Sequence, residues 1–155
     1  MLNSDYLDML RILSEEKVKF ILVGGYALAA HGYPRSTLDI DFWVMASPKN
    51  ARAVIRALKR FGAPLSGISE EDFVKEGTIF QIGVTPRRID LITKIAGVTF
   101  INAYERAPMV EWEGIPVHVL SLEDLITNKR IVGRPKDMTD VQMLEHILKQ
   151  QSAAK

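Results

Sequence analysis

The stretch TLDIDFW, residues 37–43, sets two aspartates one residue apart inside a run that otherwise reads as a buried strand. In an extended strand, side chains at i and i+2 share a face, so Asp39 and Asp41 stand together while Leu38, Ile40 and Phe42 take the other. Like charges held this close raise each other's pKa or need a cation, because burying an uncompensated carboxylate is costly. A divalent ion such as Mg²⁺ is one solution, since it prefers oxygen ligands and is completed by water and substrate phosphates. An ordinary ion pair with Arg35, Arg87 or Arg88 is the other.

A third acid repeats the pattern. Asp90 interrupts RRIDLIT, residues 87–93, with Ile89 and Leu91 on the opposite face. A strand laid beside the first brings it to the pair. Three aspartates can then hold two metals roughly 3.5–4 Å apart, which clamp the attacking and leaving oxygens of an in-line phosphoryl displacement. Upstream, KFILVGG is a short apolar run stopped by Gly24 and Gly25. Such a strand-to-helix turn lets backbone amides approach phosphate, and it is equally compatible with a tight turn that binds nothing.

Outward from this centre the chain alternates helix and strand signals. A helix capped by Ser4 runs to about Glu16 with Tyr6, Leu7, Leu10 and Leu13 on one face. YALAAH makes a short helix, GYPRST a loop, and Ser47-Pro48 starts a helix to Phe61 whose inner face is Ala51, Val54, Ile55 and Leu58. Gly62 ends it. Ser69 and the acids after it open a short helix, and TIFQIGV with RRIDLIT forms an antiparallel pair. GVTFINAYERA reads as irregular and IPVHVL as a last strand. Ser121 with Asp124 starts a helix to about Ile131, and a final helix covers about Asp137 to Gln150. The expectation is one domain over residues 1–155, α/β or α+β, a mixed β-sheet with helices packed on it and a C-terminal helical segment at about 121–150.

Composition narrows the class. The 155 residues are 47% hydrophobic and 25% charged, as in ordinary globular proteins. A net charge of +1 provides no overall basic field, although a local patch can exist inside a balanced total. The absence of cysteine excludes disulfides and thiolate chemistry. Acids in MLNSDYLDML, where a secretory signal needs bases, and the lack of a long apolar run predict a cytoplasmic protein without membrane contact.

LVGGYALAAHGYPRSTLDIDFWV followed by RRIDLIT resembles the DNA polymerase beta type nucleotidyltransferase superfamily, in which a Gly-Gly or Gly-Ser pair precedes an Asp-apolar-Asp motif. Within it, the chain is similar to the minimal prokaryotic AbiEii-type nucleotidyltransferases, which include toxins of toxin-antitoxin systems. SLEDLITNKRIVGRPKDMTDVQML is similar to their C-terminal part. The resemblance spans about residues 18–148, with the middle matched loosely. It implies that Gly24 and Gly25 bind the NTP triphosphate through their amides, and that Asp39 and Asp41 hold both metals. It further implies that Asp90 completes the catalytic metal and serves the acceptor hydroxyl, and that Lys129 contacts the triphosphate. Arg35 either meets phosphate or pairs with a nearby acid.

Of the remaining candidates, His31 lines the cleft or stabilises a helix C-terminus, His118 faces solvent or a polar groove, and Trp43 packs in the core or stacks on a base. Alternation lets only one of Arg87 and Arg88 face the acids. The expected activity is Mg²⁺-dependent transfer of an NMP from an NTP to a hydroxyl, with two ions and Mn²⁺ as the alternative metal. The acceptor is tRNA, a protein or a small molecule, and a homodimer or toxin-antitoxin partner could supply its surface. The alternatives are a non-catalytic nucleotide-binding or antitoxin-partner protein of the same fold, and a carboxylate metal hydrolase.

Overall fold

The computed structural model describes residues 3–33 and 39–154. Its centre is a four-stranded sheet built from β1 (Phe20–Val23), β2 (Ile40–Val44), β3 (Ile79–Ile82) and β4 (Ile89–Ile92), in the order β1-β2-β4-β3. β2 is antiparallel to β1 and parallel to β4, and β3 is antiparallel to β4. The β1 and β2 runs are rich in aromatic and branched side chains and are buried almost throughout, because both faces are covered, although β1 lies at the edge of this sheet and β2 inside it.

The parallel β2-β4 pair needs a crossover, which α3 (Pro48–Phe61) supplies together with a 3₁₀ turn at Glu70–Phe73. Ser47 caps α3 by accepting a hydrogen bond from the Asn50 amide, Pro48 occupies the first turn, and Gly62 ends the helix at φ 87°. Its buried face is Ala51, Ala53, Val54, Ala57 and Leu58, with Ile55 half-buried. α1 (Ser4–Glu15) is capped by Asn3, whose side chain accepts from the Tyr6 amide, and not by Ser4. Its core face is Tyr6, Met9, Leu10 and Leu13; Leu7 is half-buried. α2 (Gly24–Ala30) starts at the glycines themselves.

Two elements correct the sequence reading. FINAYER, expected to be irregular, is α4 (Phe100–Arg106), and a strand not anticipated, β5 (Met109–Trp112), pairs antiparallel with β6 (Ile115–His118) as a separate two-stranded sheet. Val119 beyond β6 bridges in parallel to Leu22, joining that hairpin to β1. α5 (Leu122–Val132) and α6 (Pro135–Ala153) close the chain as a helical pair. Ser121 caps α5 by accepting from the Asp124 amide, but the Asp124 carboxylate is turned to Arg106 with contacts of 2.8 and 3.1 Å, so only half of a capping box forms. Among the described residues no helix is long and apolar enough to cross a membrane.

Asn50 ties the far end of the sheet together. Its side chain accepts from the Lys19 amide at 2.8 Å and donates to the Lys19 and Met45 carbonyls at 3.0 and 2.8 Å. It is buried, so Asn50→Ala strands several backbone groups away from water. A loss of about 2 kcal/mol of unfolding free energy in urea denaturation is expected; an unchanged midpoint would show the contacts to be dispensable.

Candidate active site

The carboxylates meet because of register. β2 and β4 run side by side with Asp41 opposite Asp90, and Asp39 lies two residues before Asp41 on the same face. Gly24, last partner to the strand ends, comes from the other side: Val23 pairs with Asp41, and Gly24 turns into α2 at φ 72°. A side chain at Gly24 would run into the Asp41 carboxylate, so the chain needs glycine there for two separate reasons, conformation and room. The structure thus brings Asp39, Asp41, Asp90 and the Gly24-Gly25 turn to one place. Arg35 lies outside the described residues.

Arg88 is the cation of this cluster. Its Nε and one terminal nitrogen donate to the two Asp90 oxygens at 2.7 and 3.1 Å, and the same guanidinium lies 3.7 Å from Asp39. The Arg88 amide donates to Asp39 at 2.9 Å, and the Thr85 hydroxyl donates to the other Asp39 oxygen at 3.0 Å. Alternation therefore selects Arg88 over Arg87 for the acidic face. With both Asp90 oxygens held by Arg88, no group of three acids or histidines among the described residues is preformed as a metal cage.

Asp41 receives no such partner. Burial, then a hydrogen bond shared with Asp90 and the charges of Asp90 and Asp39, push its pKa from 3.8 up to about 7, with Arg88 opposing weakly. Three carboxylates are thus offset by one guanidinium and, near neutrality, by a proton on Asp41. That proton stabilises the fold fully below about pH 4, and the contribution is lost as pH rises through about 7.

Two tyrosines that the sequence did not assign to the site wall it. The Tyr6 hydroxyl donates to the Arg88 carbonyl at 3.3 Å, and that carbonyl also accepts from the Ile40 amide, which fixes the β2-β4 register beside the acids. Tyr6 is pushed up to about 12 by burial, then by Tyr26, Asp39 and Asp41. Tyr26, on α2, packs edge-on against Tyr6 and Trp112 with ring centroids 5.8 and 6.1 Å apart. Only a contact spanning 82 residues reveals Tyr6, and helical patterning assigns it to the core.

The other candidates resolve individually. Lys129 is half-buried between Asp137 and Asp140, at 3.3 and 3.1 Å. Asp137 is fully buried, and Arg134, then Lys129, hold its pKa down at about 2. Trp43 is buried and meets Phe100 edge-on at 5.2 Å. His118 is half-buried and stacks on Tyr104 at 4.2 Å, and burial lowers its pKa. His31 caps α2, with Nε2 2.8 Å from the Leu120 carbonyl.

This mixed sheet, with acids from two parallel neighbours beside a glycine turn, is a nucleotidyltransferase fold. The crystal structure of a candidate nucleotidyltransferase from Thermotoga maritima matches it at TM-score 0.54 and 18% identity, over 97% of this chain and 96% of that one. The solution structure of the antibiotic-resistance factor ANT(2'')-Ia matches at TM-score 0.50 and 16% identity, over 97% and 92% of the two chains. The chain belongs to DUF6036, described as a nucleotidyltransferase of unknown function, whose family model matches residues 6–152. No curated protein matches its sequence significantly.

The charge conflict at Asp41 has a measurable consequence. In EDTA, Asp41→Asn is expected to melt at least about 3 °C above the wild type at pH 8, and the two should converge near pH 4. Equal melting at pH 8 would mean that the Asp41 charge is not under stress.

Proposed function

We propose that this nucleotidyltransferase moves an NMP from an NTP to a hydroxyl acceptor, releasing pyrophosphate, with Asp39, Asp41 and Asp90 as the ligands of Mg²⁺, two ions for preference and Mn²⁺ as a substitute. The observation that carries the reading is the pairing of Asp41 with Asp90 across β2 and β4, beside a glycine position where Asp41 leaves no room for a side chain. The donor set fits a hard divalent cation: all oxygen, all anionic, and, among the described residues, under-neutralised by Arg88. Bound there, the cation would offset the triphosphate and the charge that develops on the transferring phosphoryl group.

The chain's own groups then divide the work. Asp39 and Asp41, on one strand face, position the ligand set. Asp90, on the adjoining strand, is placed to orient or deprotonate the acceptor hydroxyl once Arg88 yields an oxygen. The Gly24 and Gly25 amides at the start of α2 take phosphate, as does Arg35, four residues before Asp39 in the sequence. Lys129 serves the triphosphate in this reading by exchanging part of its contact with Asp137 and Asp140. The acceptor is tRNA, a protein or a small molecule, and the likeness of the motifs to AbiEii-type proteins supports a cytoplasmic toxin paired with an antitoxin.

A second reading draws on Arg88. Because it holds both Asp90 oxygens, a nucleotide-binding protein of the same fold that performs no transfer is also consistent with the geometry.

Incubation with each labelled NTP, Mg²⁺ and a cell extract separates the two. Transfer expects label on an acceptor, pyrophosphate release, and a loss of at least about 100-fold in Asp39→Ala, Asp41→Ala and Asp90→Ala. NTP binding in calorimetry without pyrophosphate release from any acceptor would favour the second reading. Arg88 competes with the cation in either case, so Arg88→Met is expected to bind Mn²⁺ at least about tenfold more tightly in nucleotide-free calorimetry, about 1.4 kcal/mol. Unchanged or weaker binding would remove Arg88 from that role.

A further inference from the structure

The outer face of α3 carries charge that the carboxylate site does not use. The helix contains five basic residues and no acid. Lys49, Arg52, Arg56, Lys59 and Arg60 recur at intervals of three and four, so they form one stripe about 16 Å long on the exposed side. Lys17 and Lys19, in the turn between α1 and β1, extend it past the start of the helix. They join Lys49 and Arg56 around a cavity of about 340 Å³ that includes one acid, Glu16.

Part of this charge is balanced. Arg56 and Arg60 pair with Glu16, Arg60 also with Glu15, and Arg52 lies 3.8 Å from Glu70. Lys17, Lys19, Lys49 and Lys59 make no ion pair among the described residues. Burying Asn50 under this corner fixes Lys19 and Met45, so the lysines flanking it stand on rigid backbone.

We propose that the α3 stripe with Lys17 and Lys19 is a docking surface for the phosphate backbone of a base-paired RNA stem. Neighbouring stations on the stripe stand roughly 5–6 Å apart, an interval suited to successive phosphates on a compact A-form strand. No aromatic side chain is exposed on α3, which leaves nothing to stack on unpaired bases and favours a duplex. A lipid surface fits poorly, because none of the exposed large hydrophobic residues belongs to α1, β1 or α3. The surface is also remote from the carboxylates: Met45 lies six residues along the strand from Asp39, roughly 20 Å. It therefore anchors a partner independently of the proposed transfer chemistry.

Fluorescence anisotropy of the full chain with a labelled RNA hairpin tests this. With about three phosphates neutralised, the log-log salt slope should be about −2.7, so affinity falls about 40-fold between 50 and 200 mM KCl. The double reversal Lys19→Glu/Lys49→Glu should weaken binding at least tenfold with an unchanged circular dichroism spectrum, as should Arg52→Glu. Lys149→Glu on α6 should leave it unaltered. The proposal is overturned by absent binding at 50 mM KCl, by α3 reversals that bind as well as wild type, or by equal weakening in Lys149→Glu. Preference for the matching DNA duplex, for an acidic peptide or for anionic vesicles over the hairpin would overturn it too.

Discussion

The structure turns on a repulsion that the chain accepts. Asp39, Asp41 and Asp90 occupy one face of two parallel neighbours, and burial makes their mutual repulsion expensive. Arg88 offsets two of them and leaves Asp41 partly uncompensated. A core built only for stability would place apolar residues at these positions, as it does at Ile40, Phe42, Ile89 and Leu91 on the other face. The acids therefore mark where the chain carries negative charge at a cost in stability.

Everything nearest the acids serves to hold them in that position. The Arg88 residue contributes three different groups: a guanidinium to Asp90, an amide to Asp39, and a carbonyl to both Ile40 and Tyr6. Register, charge balance and the packing of α1 are thereby coupled through a single residue. Gly24 supplies the complementary constraint, since the approach of Asp41 excludes any side chain there.

Much of this could be read from the residues. Period-two alternation predicts that Asp39 and Asp41 share a face, and β-branched and aromatic runs mark all four strands of the main sheet. Gly62 and Ser47-Pro48 delimit α3 because capping chemistry is local. What the residues withheld was non-local or weakly signalled. α4 is seven residues long and Thr99 gives it no side-chain cap, while β5 is half exposed and is defined by its partner β6. Alternation narrowed Arg87 and Arg88 to one, but not to which acid it would hold. Lys129 had only the triphosphate role that the resemblance implied, and the folding of α6 onto α5 shows it between two buried acids. Tyr6 follows the helical stripe of a core residue, and its place beside Arg88 depends on tertiary closure.

The crossover that makes β2 and β4 parallel also sets a schedule for synthesis. Asp39 is linked to Arg88 across a separation of 49 residues, and a tight hairpin could not join two strands in that orientation. A ribosome-bound chain that has exposed β2 but not β4 has the first two acids without their arginine or their third member. The three acids and their arginine can meet only after β4 has followed β2 out of the ribosome.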